Sequence, residues 1–195
     1  METYTTTEII RLLKDREISL FSLSDFSRLF NIRNDLTLYK KIARLEQKKI
    51  VKKLIKGKYF FALNPPNDFA IANYLYQPSY ISLESALSFY GIITGFPYKI
   101  TSISTKKSRL FNTDQKEFQY SQIAADLFWG YEKRENFLLA DKEKALLDYL
   151  YFFSKGIKSF DREEFDLQEI NQKKLISYAR SFKIAKWLTI IKEYL

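Results

Sequence analysis

The chain of 195 residues contains no cysteine and no histidine, and only five glycines and four prolines. Without cysteine, no disulfide staples the fold. Without both, there is no Ser-His-Asp or Cys-His nucleophile, no imidazole general base and no zinc site of the usual kind. Five glycines leave little material for a phosphate cradle, and neither the Walker pattern nor the dinucleotide-binding pattern is present. No catalytic residue, cofactor or metal is therefore expected, and the protein is expected not to be an enzyme. Lys, Glu, Asp or Arg interrupts every apolar segment short of the roughly 18 residues that a membrane helix needs. The opening METYTTTEIIRLLKDREISLF lacks an apolar h-region and a small-residue cleavage site, so a cytoplasmic protein without a membrane partner is expected.

What the chain does have is apolar bulk and local charge. Hydrophobic residues make up 46% and aromatics 17%, ample for a packed core. The net charge is +9, and the window from Leu36 to Lys58 holds nine basic residues against the single acid Glu46, a net of +8. An A/T-rich gene would explain an abundance of lysine but not its confinement to one window. Clustered cations beside apolar residues fit either a solvated face or a nucleic-acid partner, and the arrangement of the elements decides between them.

Residues up to about 64 read as three short helices and a hairpin. In TTTEIIRLLKD, Ile9, Ile10, Leu12 and Leu13 form a helical stripe with Thr6 or Thr7 as cap. Ser22 and Asp25 form a capping pair for a second helix carrying Leu23, Phe26, Leu29 and Phe30. NIRND is a turn, with Asn34 or Asp35 capping a third helix over about 36–48. At about 100° per residue, Leu38, Ile42 and Leu45 share one side, while Thr37, Lys41, Arg44 and Lys48 line another, with Lys40 nearby. IVKKLI and KYFFAL flank a Lys56-Gly57 turn, although the first shows imperfect alternation. The expectation is a winged helix-turn-helix over 1–64, its third helix in the major groove and its wing cations Lys53, Lys56 and Lys58 on the backbone.

NPPND, residues 64–68, marks a boundary. Beyond it, FAIANYLY reads as a helix, and Ser82 as the cap of another that holds Glu84 and ends at Gly91. The segment 98–104 and EFQYSQI read as extended, and between them Lys106, Lys107 and Arg109 offer a second basic contact. LLADKEKALLDYLYFF reads as a helix capped by Asp141. Asp141 and Asp148 are two turns apart, a spacing that admits a carboxylate pair, though capping and solvation account for both. Two amphipathic helices close the sequence, one with Leu175, Ile176, Tyr178 and Ala179, the other with Ile184, Trp187, Leu188 and Ile191. The fold class expected is α+β and mostly helical, with a mixed α/β second domain over 69–195 that ends in helices.

PSYISLESALSFYGII, YKITSIST, FQYSQI and LLADKEKALLDYLYF, in that order behind a segment ending in GKYFFALNP, resemble the AbiEi-like antitoxins of bacterial type IV toxin-antitoxin systems. The resemblance covers roughly residues 5–155. It implies a transcriptional autorepressor that binds its own promoter through Thr37, Lys40, Lys41, Arg44 and Lys48, with Lys56 and Lys58 on the wing. It also implies an antitoxin whose C-terminal domain counters a nucleotidyltransferase toxin, often without a stable complex, and a monomer or weak dimer is expected. Two other readings stay open from the residues: an interaction adaptor whose winged helix docks an acidic partner, and an RNA-processing enzyme built on carboxylates such as Asp141 and Asp148.

Overall fold

The computed structural model describes residues 4–95, 97–114 and 116–182, and it divides into two compact units, Met1–Ile71 and Ala72–Leu195. The fold is mixed α/β, with seven α-helices and two sheets among the described residues. Helices are the larger share, but a six-stranded sheet organises the second unit, so the chain is not a helical protein with minor strands. Among the described residues no helix is long and apolar enough to cross a membrane.

The first unit runs α1 (Thr6–Asp15), β1 (Leu20–Ser22), α2 (Leu23–Leu29), α3 (Asp35–Gln47), β2 (Val51–Ile55) and β3 (Lys58–Phe61). Capping sets where the helices start. The cap of α1 is Thr5, not Thr6 or Thr7: Thr5 and Glu8 stand three residues apart and exchange backbone and side-chain hydrogen bonds in a capping box, a pairing open to neither neighbour. Ser22 and Asp25 form the second box as expected, and Asn34 accepts from the Thr37 N–H at 3.0 Å to start α3. All three helices end in Schellman turns, with Ile18, Ile32 and Ile50 N–H groups bonded back to Leu13, Ser27 and Leu45 carbonyls. The left-handed residues at these ends are Glu17, Asn31 and Lys49, in a chain with few glycines to spare.

The sheet order is β1-β3-β2, antiparallel throughout, so the expected hairpin is flanked by a third strand. β1 is three residues long, too short to show a period in the sequence. The faltering alternation in IVKKLI has a cause: the register of β2 against β3 shifts between Lys53 and Ile55, and this bulge keeps Val51 and Leu54 buried while Lys52 and Lys53 face water. Ile9, Leu13, Phe26, Phe30, Ile42, Leu45 and Phe61 fill one closed core.

The unit boundary falls inside α4 (Asp68–Leu75). The second unit adds β4 (Ser79–Ile81), α5 (Glu84–Phe89), β5 (Lys99–Ser104), β6 (Arg109–Asn112), β7 (Glu117–Gln122), β8 (Tyr131–Arg134), β9 (Phe137–Ala140), α6 (Lys142–Ser154) and α7 (Gln172–Ser181). Its sheet runs β6-β7-β5-β4-β9-β8, with β5·β7 and β4·β9 parallel and the other pairs antiparallel. α6 packs against α5, α7 and β9, and is buried from Glu143 through Phe152. Ser82 does not cap α5; the residue there is Leu83, at φ +57° with no side-chain cap, because the Ser82 hydroxyl is turned inward. The second of the two expected C-terminal helices, with Ile184, Trp187, Leu188 and Ile191, lies outside the described residues.

Candidate nucleic-acid interface

α3 is fixed to the core by Leu38, Ile42 and Leu45, which are at most 4% exposed. Anchoring one face leaves the rest of the helix to solvent. Thr37, Lys40, Arg44 and Lys48 are exposed, and Arg33 is exposed just ahead of the helix. Lys41 is different. It is half-buried, and its Nζ donates to the Tyr4 carbonyl oxygen, while Lys48 Nζ donates to Thr6 Oγ1 at 3.3 Å. These two cations therefore tie α3 to the start of α1. Nearby, the hydrogen bonds from the Thr5 backbone and hydroxyl hold the Glu8 carboxyl below its ordinary range, with a smaller contribution from the charge of Lys41.

Helical geometry also refines which side chains lead. At about 100° per residue, the line diametrically opposite Leu38, Ile42 and Leu45 is Leu36, Lys40, Ala43 and Gln47. Thr37, Arg44 and Lys48 form one flank of that line, and Tyr39 the other. Leu36 is 71% and Tyr39 55% exposed, and neither stood out in the sequence because an apolar residue at a helix start suggests burial.

The β2–β3 hairpin continues the basic surface. Lys52, Lys53 and Lys56 are exposed, and Lys58, in register with Ser22, is half-buried. Gly57 adopts φ +78° at the turn, and its carbonyl accepts from the Leu23 N–H at 2.9 Å, which pins the tip to the start of α2. α3 packs on β2, so helix and hairpin are neighbours within one unit.

Lys106, Lys107 and Arg109 belong to the second unit and are exposed. Lys106 lies 5.6 Å from the Tyr76 ring centre and, with Gln77, Lys133 and Asn136, lines an open groove of about 590 Å³. The Lys107 carbonyl accepts from the Tyr76 hydroxyl at 3.0 Å, and Arg109 stacks 4.8 Å from Phe111 on β6.

The two aspartates of α6 do not share a site. Asp141 caps the helix by accepting from the Lys144 N–H at 2.8 Å, and also accepts from the Tyr178 hydroxyl at 2.9 Å. Asp148 is not solvated, contrary to the sequence reading: its side chain and that of Lys144 have zero exposure and form an ion pair one turn apart. Asp148 Oδ2 accepts from Tyr80 at 3.0 Å and from Ser82 at 2.8 Å, and Lys144 Nζ donates to the Tyr80 hydroxyl oxygen at 2.8 Å. Complete burial pushes the Asp148 carboxyl above its ordinary range despite Lys144, and pushes the Tyr80 phenol well up. The rings of Tyr80, Trp129 and Phe182 stand 5.2–5.3 Å from the ammonium. Gly130 makes room, since a Cβ there would lie 2.8 Å from Lys144 Cγ. The sequence held one signal for this network, a Lys and an Asp at i and i+4 in a helix whose middle is otherwise apolar.

No family model matches the chain, and no curated protein matches it.

Proposed function

We propose that the protein is a DNA-binding transcriptional autorepressor that also serves as the antitoxin of a type IV toxin-antitoxin pair, countering a nucleotidyltransferase toxin. The observation that carries the DNA-binding part is the surface of the first unit, where α3 is held to the core by one apolar side and exposes Lys40, Arg44 and Lys48 beside a hairpin that exposes Lys52, Lys53 and Lys56. Element order α1-β1-α2-α3-β2-β3 and a β1-β3-β2 sheet support the winged helix-turn-helix reading, with α3 as the recognition helix and the β2–β3 hairpin as the wing. The antitoxin part rests on the resemblance of the YISLESALSFYG and ADKEKALLDYLY segments to AbiEi-like antitoxins. The basic residues 106, 107 and 109 belong to the second unit and have no assigned role in this reading.

The test is fluorescence anisotropy of the full chain on duplex from upstream of its own reading frame, against a scrambled duplex. Arg44→Ala is expected to cost about 1–3 kcal/mol on the upstream duplex and to relax preference at one base pair, as for a guanine-reading arginine. Lys56→Ala is expected to weaken all duplexes alike. Equal losses for both variants on every duplex would remove the distinction, and absence of binding at 100 mM salt would leave the acidic-partner adaptor as the better reading. For the antitoxin, growth rescue on co-expression with an adjacent nucleotidyltransferase gene is the expected result.

A further inference from the structure

The outward line of α3 is not mainly cationic. Leu36 and Tyr39 stand three residues apart in its first turns, 71% and 55% exposed, and Ala43 is exposed one turn further on. Residues at i and i+3 are neighbours on a helix surface, so the two large side chains form one small apolar spot. Lys40 stands beside it in solvent, Arg33 precedes the helix, and Arg44 lies exposed two turns further on along the other flank. An apolar spot with cations near it at the N-terminal end of a surface helix fits the floor of a DNA major groove. There the thymine 5-methyl is the apolar group among hydrogen-bonding edges, and the phosphates on either side are anionic. The N-terminal residues of a groove-seated helix are also those that reach the base edges.

Resting on the DNA-binding reading above, we infer that Leu36 and Tyr39 read thymine methyl groups, so that the preferred site carries A·T pairs beneath the first turns of α3. The cations supply affinity and the two apolar side chains supply part of the sequence choice. Leu36 presents branched methyls to the thymine methyl. Tyr39 presents a half-exposed aromatic ring.

The experiment begins by selecting the preferred duplex from a randomised 20-base-pair pool with the full chain. Each thymine of that duplex is then replaced singly by deoxyuridine, which removes one methyl and leaves base pairing intact. The expected result is a loss of about fourfold in affinity, the worth of one buried methyl, at one or two positions. Leu36→Ala or Tyr39→Ala should abolish that sensitivity at its own position and lower affinity for the selected duplex more than for a scrambled one. Alanine favours the helix at both exposed sites, so folding is retained and far-UV circular dichroism checks it. Methyl-insensitive binding, or sensitivity that persists in both variants, overturns the inference while DNA binding stands. Loss of self-association in Leu36→Ala without any methyl effect also overturns it, by assigning the spot to a second copy. If no duplex is enriched and none binds, the DNA-binding reading itself falls.

Discussion

Lys144 carries its charge where water cannot reach, and the surrounding atoms explain how. Asp148, the Tyr80 hydroxyl and three aromatic rings surround it, and the absent side chain of Gly130 leaves space for its stem. A buried pair of this kind is costly to break and cheap to replace as a whole, because removing one partner strands the other charge in a low dielectric. Lys144→Met is therefore expected to destabilise the protein by about 3–5 kcal/mol, and adding Asp148→Asn should recover a large part of that loss. Urea denaturation of both variants is the check; equal loss in single and double variants would mean that the aromatic cage, not the ion pair, holds the site. At this scale the sequence was a partial guide. Its caps Ser22, Asn34 and Asp141 are local matters of spacing and were legible, whereas Ser82 was misassigned because its hydroxyl bonds to Asp148, 66 residues away.

Elements in the second unit are held together by polar contacts that only their packing creates. α7 docks on the start of α6 through Lys174, which meets Glu143 at 2.9 Å and Asp141 at 3.3 Å, through the Asn171 N–H on Glu143 at 3.0 Å, and through Tyr178 on Asp141. Burial alone would raise the Glu143 carboxyl, but the hydrogen bonds from Lys174 and Asn171 outweigh it and hold the group below its ordinary value of 4.5. A depressed carboxylate contributes stability above its unfolded pKa, and that contribution is lost as pH falls from about 4.5 through the depressed value. Trp129 packs edge-on against Tyr178 at 4.8 Å, so its emission reports the docking of α7. In a Trp187→Phe background, acid titration should show Trp129 emission changing below pH 4.5, with Lys174→Ala moving the change to higher pH. A midpoint indifferent to Lys174 would exclude the cluster as the latch. Helices α1, α3 and α6 were legible as elements because their periods and caps agree, and the extended segments β5 and β7 were legible too. The strands β1, β4, β8 and β9 are three or four residues each, too short to show a period; β1 and β4 pair with partners distant in the chain, while β8 and β9 form a local hairpin.

Across the whole molecule, charge is divided as unevenly as the fold. The first unit contains the window that carries a net of +8 out of +9, so its binding to any polyanion should be governed by counterion release. For duplex DNA the slope of log affinity against log salt is about −0.9 per phosphate neutralised. Replacing Lys52, Lys53 and Lys56 together by Gln should flatten that slope by up to about 2.7 if each meets a phosphate. Lys41→Gln should change it little, because that ammonium is engaged by the Tyr4 carbonyl. An unchanged slope in the triple variant would take the hairpin out of the interface.

The sequence by itself determined what is local or compositional: the exclusion of thiol and imidazole chemistry, the charged window, the main helices with most of their caps, and the turn at Gly57. Tertiary structure alone decided which cations stay in water, since Lys40 and Lys41 are neighbours in the chain and only one is drawn back to the start of α1. It also decided that Leu36 and Tyr39 face outward and that Lys144 and Asp148 face inward. The physical reason is that exposure depends on which surfaces meet when elements pack, and side-chain type along the chain constrains that meeting only in part.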